Sequence, residues 1–354
     1  MRRRSRDDQW KAVPMPSVSV RDVAALAGVS VGTVSNVLNR PEKVAEHTVE
    51  KVHGAIEKLG FVRNDAARQL RAGRSRAVGL IILDVGNPFF TDLARGAEAK
   101  AAAEGLSIIL GNSDEKAERE SAYLDLFEEQ RMHGVLVSPF GDIIPRLRRL
   151  RERGIPAVLV DRTSVDSTFS SVSVDDEAGG ELAAAHLLAT GRRRIAYVGG
   201  PSEIRQVVDR LEGARRAVAA HPGATLEVVP VGALTVAEGR EAGQALAARP
   251  ADARPDGIFA ANDLLAMGLL QAMEQASMHV PDEVGLIGYD DIGFASAAVV
   301  PLSSIHQPSM LIGETAVQIL LEEAADPALP PRHIVYQPEL VVRQSTGAGV
   351  TAAL

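Results

Sequence analysis

From residue 77 onward the chain is punctuated by eight short runs dominated by valine, isoleucine and leucine. They are AVGLIILD (77–84), LSIILGN (106–112), GVLVSP (134–139), PAVLVDR (156–162), RIAYVGG (194–200), LEVVPV (226–231), GIFAAND (257–263) and VGLIGYDD (284–291). Near-continuous apolar runs mark strands buried on both faces, and strands alternating with Ala-rich helical stretches build parallel sheets. The series is too long for one ordinary doubly wound sheet, and a break near 175–178 divides it into two similar lobes. The expectation for this part is an α/β core of two doubly wound parallel-sheet lobes.

In open parallel sheets, ligands bind beyond the carboxyl ends of the strands. Those ends read Asp84 with GNPFF, Asn112, Ser138, Asp161-Arg162, Gly199-Gly200, Asn262-Asp263 and Asp290-Asp291. Taken singly, such residues commonly do no more than cap the next helix. Together they suit a neutral polyhydroxylated ligand: acids accept hydroxyl hydrogens, amides and guanidinium donate, and the phenylalanines cover an apolar face.

Catalytic motifs are missing. The eight histidines show no H-x-x-x-H or H-E-x-x-H spacing, and the chain has neither a G-x-S-x-G elbow nor a G-x-x-x-x-G-K-[ST] phosphate loop. VGGPSE follows a strand without completing G-x-G-x-x-G, so no dinucleotide cofactor is expected. His133, His186 and His306 read as packing or solvent residues. With no cysteine, disulfides and thiolate metal sites are excluded, which fits a reducing cytoplasm. The basic N-terminus has no apolar h-region, and no apolar run reaches membrane-spanning length. No enzyme, metal or cofactor is expected.

The first 76 residues differ in kind. They carry 15 Lys and Arg against 8 Asp and Glu, whereas the remainder carries 23 against 38. A basic head on an acidic body suggests that the head meets a polyanion. After a polar leader (1–17), Ser19 and Asp22 form a capping box for a helix with Val20, Val23, Ala24 and Ala27 at helical spacing. Gly28 ends it, and Ser30 caps a second helix (31–38) that buries Val34, Val37 and Leu38. Asn39-Arg40-Pro41 stops that helix, and a third (about 46–59) carries Val49, Val52, Ile56 and Leu59. Three helices and a glycine turn in so short a span form a helix-turn-helix headpiece, 18–62. Its second helix exposes Val31, Gly32, Thr33, Ser35 and Asn36.

With these segments in hand, the chain is identified as resembling the lactose-repressor (LacI/GalR) family of bacterial transcription regulators. VRDVAALAGVSVGTVSNVLN is very close to that family's DNA-reading signature. The core motifs NPFF, VDR, RLEGA, AANDLLAMG, VGLIGYDD and SSIHQP match in the same order. The implied fold class is an all-α helix-turn-helix headpiece plus a core similar to type I periplasmic binding proteins. The implied segments are a leader (1–17), the headpiece (18–62), a hinge (63–76) and a core (77–345). Within the core, one lobe would take about 77–175 and 307–335, the other about 176–306 and 336–345.

The hinge, RNDAARQLRAGRSR, holds Leu70 as its one apolar side chain larger than alanine, among five arginines. The resemblance implies that the hinge becomes helical only on operator DNA and pairs with its dimer partner in the minor groove. Leu70 would there wedge between base steps, with Asn64 and Ala67 on the same DNA-facing surface. So short a helix does not hold alone in water. Arg63, Arg68, Arg71, Arg74 and Arg76 would neutralise phosphates. On the second headpiece helix, Val31, Gly32 and Asn36 would discriminate bases, while Thr33 and Ser35 position it. Many relatives have Arg at the place of Asn36; Asn pairs with adenine where Arg reads guanine.

For the effector, the resemblance is to the ribose-type subset. It implies contacts from Asn87, Phe89, Phe90, Asp161, Arg162, Arg210, Asn262, Asp290 and Gln307. Arg162, Arg210 and Asp290 would form the hydroxyl network. Leu234 stands where relatives usually have a second aromatic wall, which leaves room and removes stacking. A nucleobase is disfavoured on the same ground. The expected protein is a cytoplasmic homodimeric repressor of a sugar operon that binds pseudo-palindromic double-stranded DNA and is modulated by a small neutral sugar. The alternatives are a purine or phosphorylated effector, or a sugar receptor without regulation. The end, VVRQSTGAGVTAAL, reads as a strand and a loose tail without a heptad repeat, which favours a dimer.

Overall fold

The computed structural model describes residues 18–61, 75–162 and 168–347. The leader, the hinge positions Asn64, Ala67 and Leu70 and the arginines from 63 to 74 lie outside the described residues, as do 163–167 and 348–354. Two compact units divide the chain near residue 72.

The first unit holds helices α1 (Val20–Ala27), α2 (Val31–Asn39) and α3 (Glu46–Leu59). Ser19 Oγ accepts from the Asp22 amide while Asp22 Oδ2 takes the Ser19 amide at 2.8 Å, so each satisfies an amide the helix cannot. Gly28 adopts the left-handed region (φ 66°) that ends α1, a conformation costly for any residue with a Cβ. Ser30 Oγ accepts the Thr33 amide at 3.0 Å and starts α2. Val23, Ala24, Val34, Val37, Val52, Ala55 and Phe61 form the core, with Leu38, Val49, Ile56 and Leu59 packed around them.

The second unit contains two parallel sheets. The first comprises β1 (Ala77–Ile82), β2 (Ser107–Asn112), β3 (Gly134–Val137), β4 (Ala157–Val160), β5 (Ser171–Val174) and β11 (His333–Tyr336), in the order β11-β5-β4-β3-β1-β2. The second comprises β6 (Arg194–Gly199), β7 (Thr225–Pro230), β8 (Gly257–Ala260) and β9 (Gly285–Ile287), in the order β7-β6-β8-β9. All eight apolar runs are strands. An antiparallel pair, β10 (Ser304–His306) with β12 (Glu339–Val341), adjoins β9 through a bridge between Ile287 and Ser303.

The chain passes between the lobes three times. It leaves the first after β5 to start α7 (Asp176–Ala189), returns after β10 to form α12 (Ser309–Ala325), and leaves again between β11 and β12. Strand β11 keeps Tyr336 in the first sheet, paired with Val174, so the last crossing falls just after the residue expected to begin the second lobe's final segment.

Helices pack against one another through reciprocal glycines. A Cβ on Gly180 of α7 would sit 2.0 Å from the Arg210 carbonyl oxygen, and one on Gly213 of α8 (Arg205–Ala219) 2.0 Å from that of Glu177. Gly96 of α4 (Pro88–Ala103) and Gly313 of α12 meet Met310 and Leu93 in the same way, each at 2.0 Å. Only glycine allows these backbones so near each other.

Two expectations are corrected. The end of the chain is not loose as far as residue 347: Ser345 and Thr346 are fully buried. Ser345 Oγ accepts the Ser303 amide at 2.8 Å, and Thr346 Oγ1 bonds the ring of His186 at 2.8 Å. Arg76, expected on phosphates, donates from Nε to the Gly105 carbonyl at 3.0 Å. Among the described residues, no helix is long and apolar enough to cross a membrane.

Candidate functional site

On the headpiece, α2 turns Val34 and Val37 inward, which its 3.6-residue period leaves opposite Gly32 and Asn36, with Val31 at the N-terminal edge of the buried face. Val31 is 46% exposed, and the Asn36 amide has no partner among the described residues. Thr33 and Ser35 are half-buried and internally bonded. Thr33 Oγ1 meets Ser30 Oγ at 2.9 Å, and Ser35 Oγ takes the Asn39 amide at 3.3 Å. An exposed apolar side chain suits a thymine methyl, and an exposed amide an adenine edge.

In the core, the carboxyl ends of β1, β4, β8 and β9 meet the N-terminal turns of α4 and α8 around a cleft whose empty space, open solvent included, is about 420 Å³. Its walls are Leu83, Asp84, Asn87, Phe89, Phe90, Glu115, Asp161, Ile204, Gln206, Arg210, Leu234, Asn262 and Asp290. Asn87 and Asn262 both cap helices, with Oδ1 accepting the Phe89 amide at 3.0 Å and the Leu265 amide at 2.9 Å. Capping and lining are therefore compatible, because one amide serves both. Phe89 and Phe90 meet edge to face, with ring centroids 5.1 Å apart.

The centre is Arg210. Its Nε donates to Asp176 Oδ1 at 2.8 Å and its Nη1 to the Ala261 carbonyl at 2.7 Å. The guanidinium lies 3.7 Å from the centroid of the Tyr289 ring, and Nη2 is 3.8 Å from Asp290 Oδ1. Burial works against its charge, but Asp176 and the other acids hold the proton on more firmly than usual. Asp290 accepts from Gln307 Nε2 at 2.8 Å and from Asn87 Nδ2 at 3.0 Å. Gln206 Nε2 donates to Asp161 Oδ2 at 2.8 Å and to the Asp161 carbonyl. The Asn87–Asp290 and Gln206–Asp161 bonds tie one lobe to the other across the cleft.

Asp161 and Asp290 have positive φ, 56° and 101°. Such backbone strain persists where surrounding structure overrides it, and it clusters at binding sites. Burial raises the Asp161 carboxyl well above its usual range, with the Asp176 charge adding to the effect. The Asp290 carboxyl is raised by burial against the opposing pull of Arg210. Glu115 is pushed up to about 7 by burial and by the charges of Asp84 and Asp114.

Of the expected contacts, Asn87, Phe89, Phe90, Asp161, Arg210, Leu234, Asn262 and Asp290 line the cleft, and two residues do not. Arg162 turns away: its Nη1 donates to the Gly141 carbonyl at 3.1 Å, so the guanidinium is taken up by a neighbouring loop. Gln307 is buried behind Asp290 and reaches the cleft only through it. Sequence reasoning missed Gln206, although it sits one turn before Arg210 on the same helix face. Asp176 was missed because SVSV, β5, lacks an apolar run and its carboxyl end went unread. Asp263 serves structure, accepting the Ile292 amide at 2.9 Å and the Ser304 hydroxyl at 2.7 Å.

An exposed reading helix and a strand-end cleft between two sheets define a class, a nucleic-acid-binding head joined to a ligand-binding core. Residues 19–64 match the profile of bacterial regulatory proteins of the lacI family, and residues 184–346 that of the periplasmic binding protein-like domain. The HTH-type transcriptional repressor PurR of Vibrio parahaemolyticus is 33% identical over 334 residues, covering 92% of this chain and 98% of that protein. The ribose operon repressor of Escherichia coli is 33% identical over 337 residues, covering 92% and 99%. The lac repressor dimer bound to operator and the anti-inducer ONPF superposes with a TM-score of 0.80 at 25% identity, over 94% of this chain and 99% of that one. The chain belongs to the LacI family of bacterial regulatory proteins.

Proposed function

We propose that this regulator represses a sugar-uptake or catabolic operon as a cytoplasmic homodimer, and that a sugar bound in the cleft sets its operator affinity. The observation that carries the effector reading is Asp161. It is 4% exposed, lines the cleft and keeps Oδ1 without a hydrogen-bond partner. A buried carboxyl oxygen in that state is costly until a hydrogen-bond partner arrives, and a sugar hydroxyl, which can donate or accept, supplies one. Phe89, Phe90, Ile204 and Leu234 give apolar surface for a ring. A phosphorylated effector is disfavoured because the walls carry one guanidinium against four carboxyl groups.

Both direct ties across the cleft involve groups a ligand would also contact, so occupancy changes how the lobes are held. A ligand shifts only equilibria whose states it binds differently. The test is operator binding by fluorescence anisotropy with a panel of pentoses, hexoses and purine bases. A change in operator affinity with one sugar supports the proposal. Response to a purine alone transfers the site to the chemistry named for the PurR relatives, and the sugar reading is then withdrawn.

A further inference from the structure

The walls of the cleft leave several acceptor atoms without a partner. Gln206 Nε2 is bonded to both the carbonyl and the carboxylate of Asp161. Asn87 gives one N–H to Asp290, Asn262 one to the Leu234 carbonyl at 3.2 Å, and Arg210 two, to Asp176 and Ala261. Remaining on the acceptor side are Asp161 Oδ1, the second oxygen of Asp84 and the whole Glu115 carboxylate, which has no hydrogen bond or ion pair among the described residues. Asp84 uses Oδ1 to take the Gly86 amide at 2.8 Å.

Charge points the same way. Arg210 is the one basic side chain on walls that carry four carboxyl groups. A hydroxyl brings one donor, two acceptor sites and no charge. An ammonium group brings three donors, no acceptor and the missing positive charge.

Resting on the sugar reading above and narrowing it, we infer that the ligand of this cleft is an amino sugar whose protonated amine is held by Glu115 and Asp84, with the unpartnered Asp161 oxygen bonding another polar group of the same ligand. The acid pair does not stand alone in this: the buried, unpartnered Asp161 oxygen on the same cavity independently calls for a polar ligand group. Glu115 lies close enough to Asp84 for that carboxylate to raise its proton affinity, and a ligand cation would take the place of the retained proton.

The experiment is isothermal titration of the full-length protein with matched pairs, D-glucosamine against D-glucose and D-galactosamine against D-galactose, with the N-acetylated amines as neutral controls. An amine binding about tenfold or more tightly than both its neutral parent and its N-acetyl form is expected, the difference between a charge-assisted and a neutral hydrogen bond. Glu115→Gln and Asp84→Asn should each shrink that ratio. Neutral sugars binding as tightly as amines would overturn the inference and leave the sugar reading standing. A ratio that survives both substitutions overturns the assignment to this wall. No binding by any sugar, amino or neutral, overturns both readings together.

Discussion

Arg210 shows how much one side chain can organise. It is 4% exposed, bonded to Asp176 and a backbone carbonyl and stacked on Tyr289. Arg210→Ala leaves Asp176 and Asp290 buried without their cation, which costs about 3–5 kcal/mol; chemical denaturation measures it, and a loss below 1 kcal/mol would refute the role. Glu115 gives the opposite kind of prediction. An unfolded glutamate loses its proton near 4.5, while the folded one retains it to about 7. Between those values the native state binds more protons, so this group's contribution falls as pH rises through the window and is flat above it. Denaturation midpoints of wild type and Glu115→Gln should diverge from pH 4.5 to 7 in favour of the variant, and parallel curves would count against the shift. At Asn36, replacement by Ala should cost discrimination at one adenine of the operator by about 1–3 kcal/mol, read from anisotropy on single-base operator variants.

At the scale of elements, the glycine seam between α7 and α8 sets where Asp176 and Arg210 meet. Gly213→Ala would drive a Cβ to 2.0 Å from the Glu177 carbonyl oxygen and 2.6 Å from the Glu181 nitrogen. Neither backbone atom can rotate away, so the helices must part, at a cost of about 1–3 kcal/mol or more. Thermal denaturation should show the loss, and ligand affinity should fall with it as Arg210 shifts. Elements also explain what was legible in advance. Runs such as AVGLIILD announce buried strands, and Ser19, Gly28 and Ser30 mark the headpiece helices through capping chemistry that acts within a few residues. SVSV and HIVY were not legible as neighbours: their side chains are small or alternating, and their pairing joins residues 171–174 to 333–336. Arg162 misled because sequence order gives no direction for a guanidinium on a long stem, and Gly141 is contributed by another loop. The burial of Ser345 and Thr346 was equally hidden, since their partners His186 and Ser303 are remote in sequence.

For the whole molecule, the division of charge is also a division of labour. The basic residues concentrate before residue 77 and the acidic excess after it, so DNA affinity belongs to the head and ligand affinity to the core. A fragment starting at Gly73 should bind ligand as the full chain does and show no operator binding in a mobility-shift assay. For the full chain, affinity should fall steeply with salt as phosphate-bound counterions are released. Retained operator binding by the fragment would refute this assignment.

The threefold passage of the chain between the lobes bears on how such a protein can be taken apart. A gene fragment ending before residue 300 strips the first sheet of β11 and of its covering helix α12, and denies the second lobe both β10 and β12. No contiguous stretch encodes either lobe whole. Deletions, domain swaps and split-protein reporters made from this core must therefore treat its two halves as a single inheritable unit, with the headpiece as the module that can be exchanged.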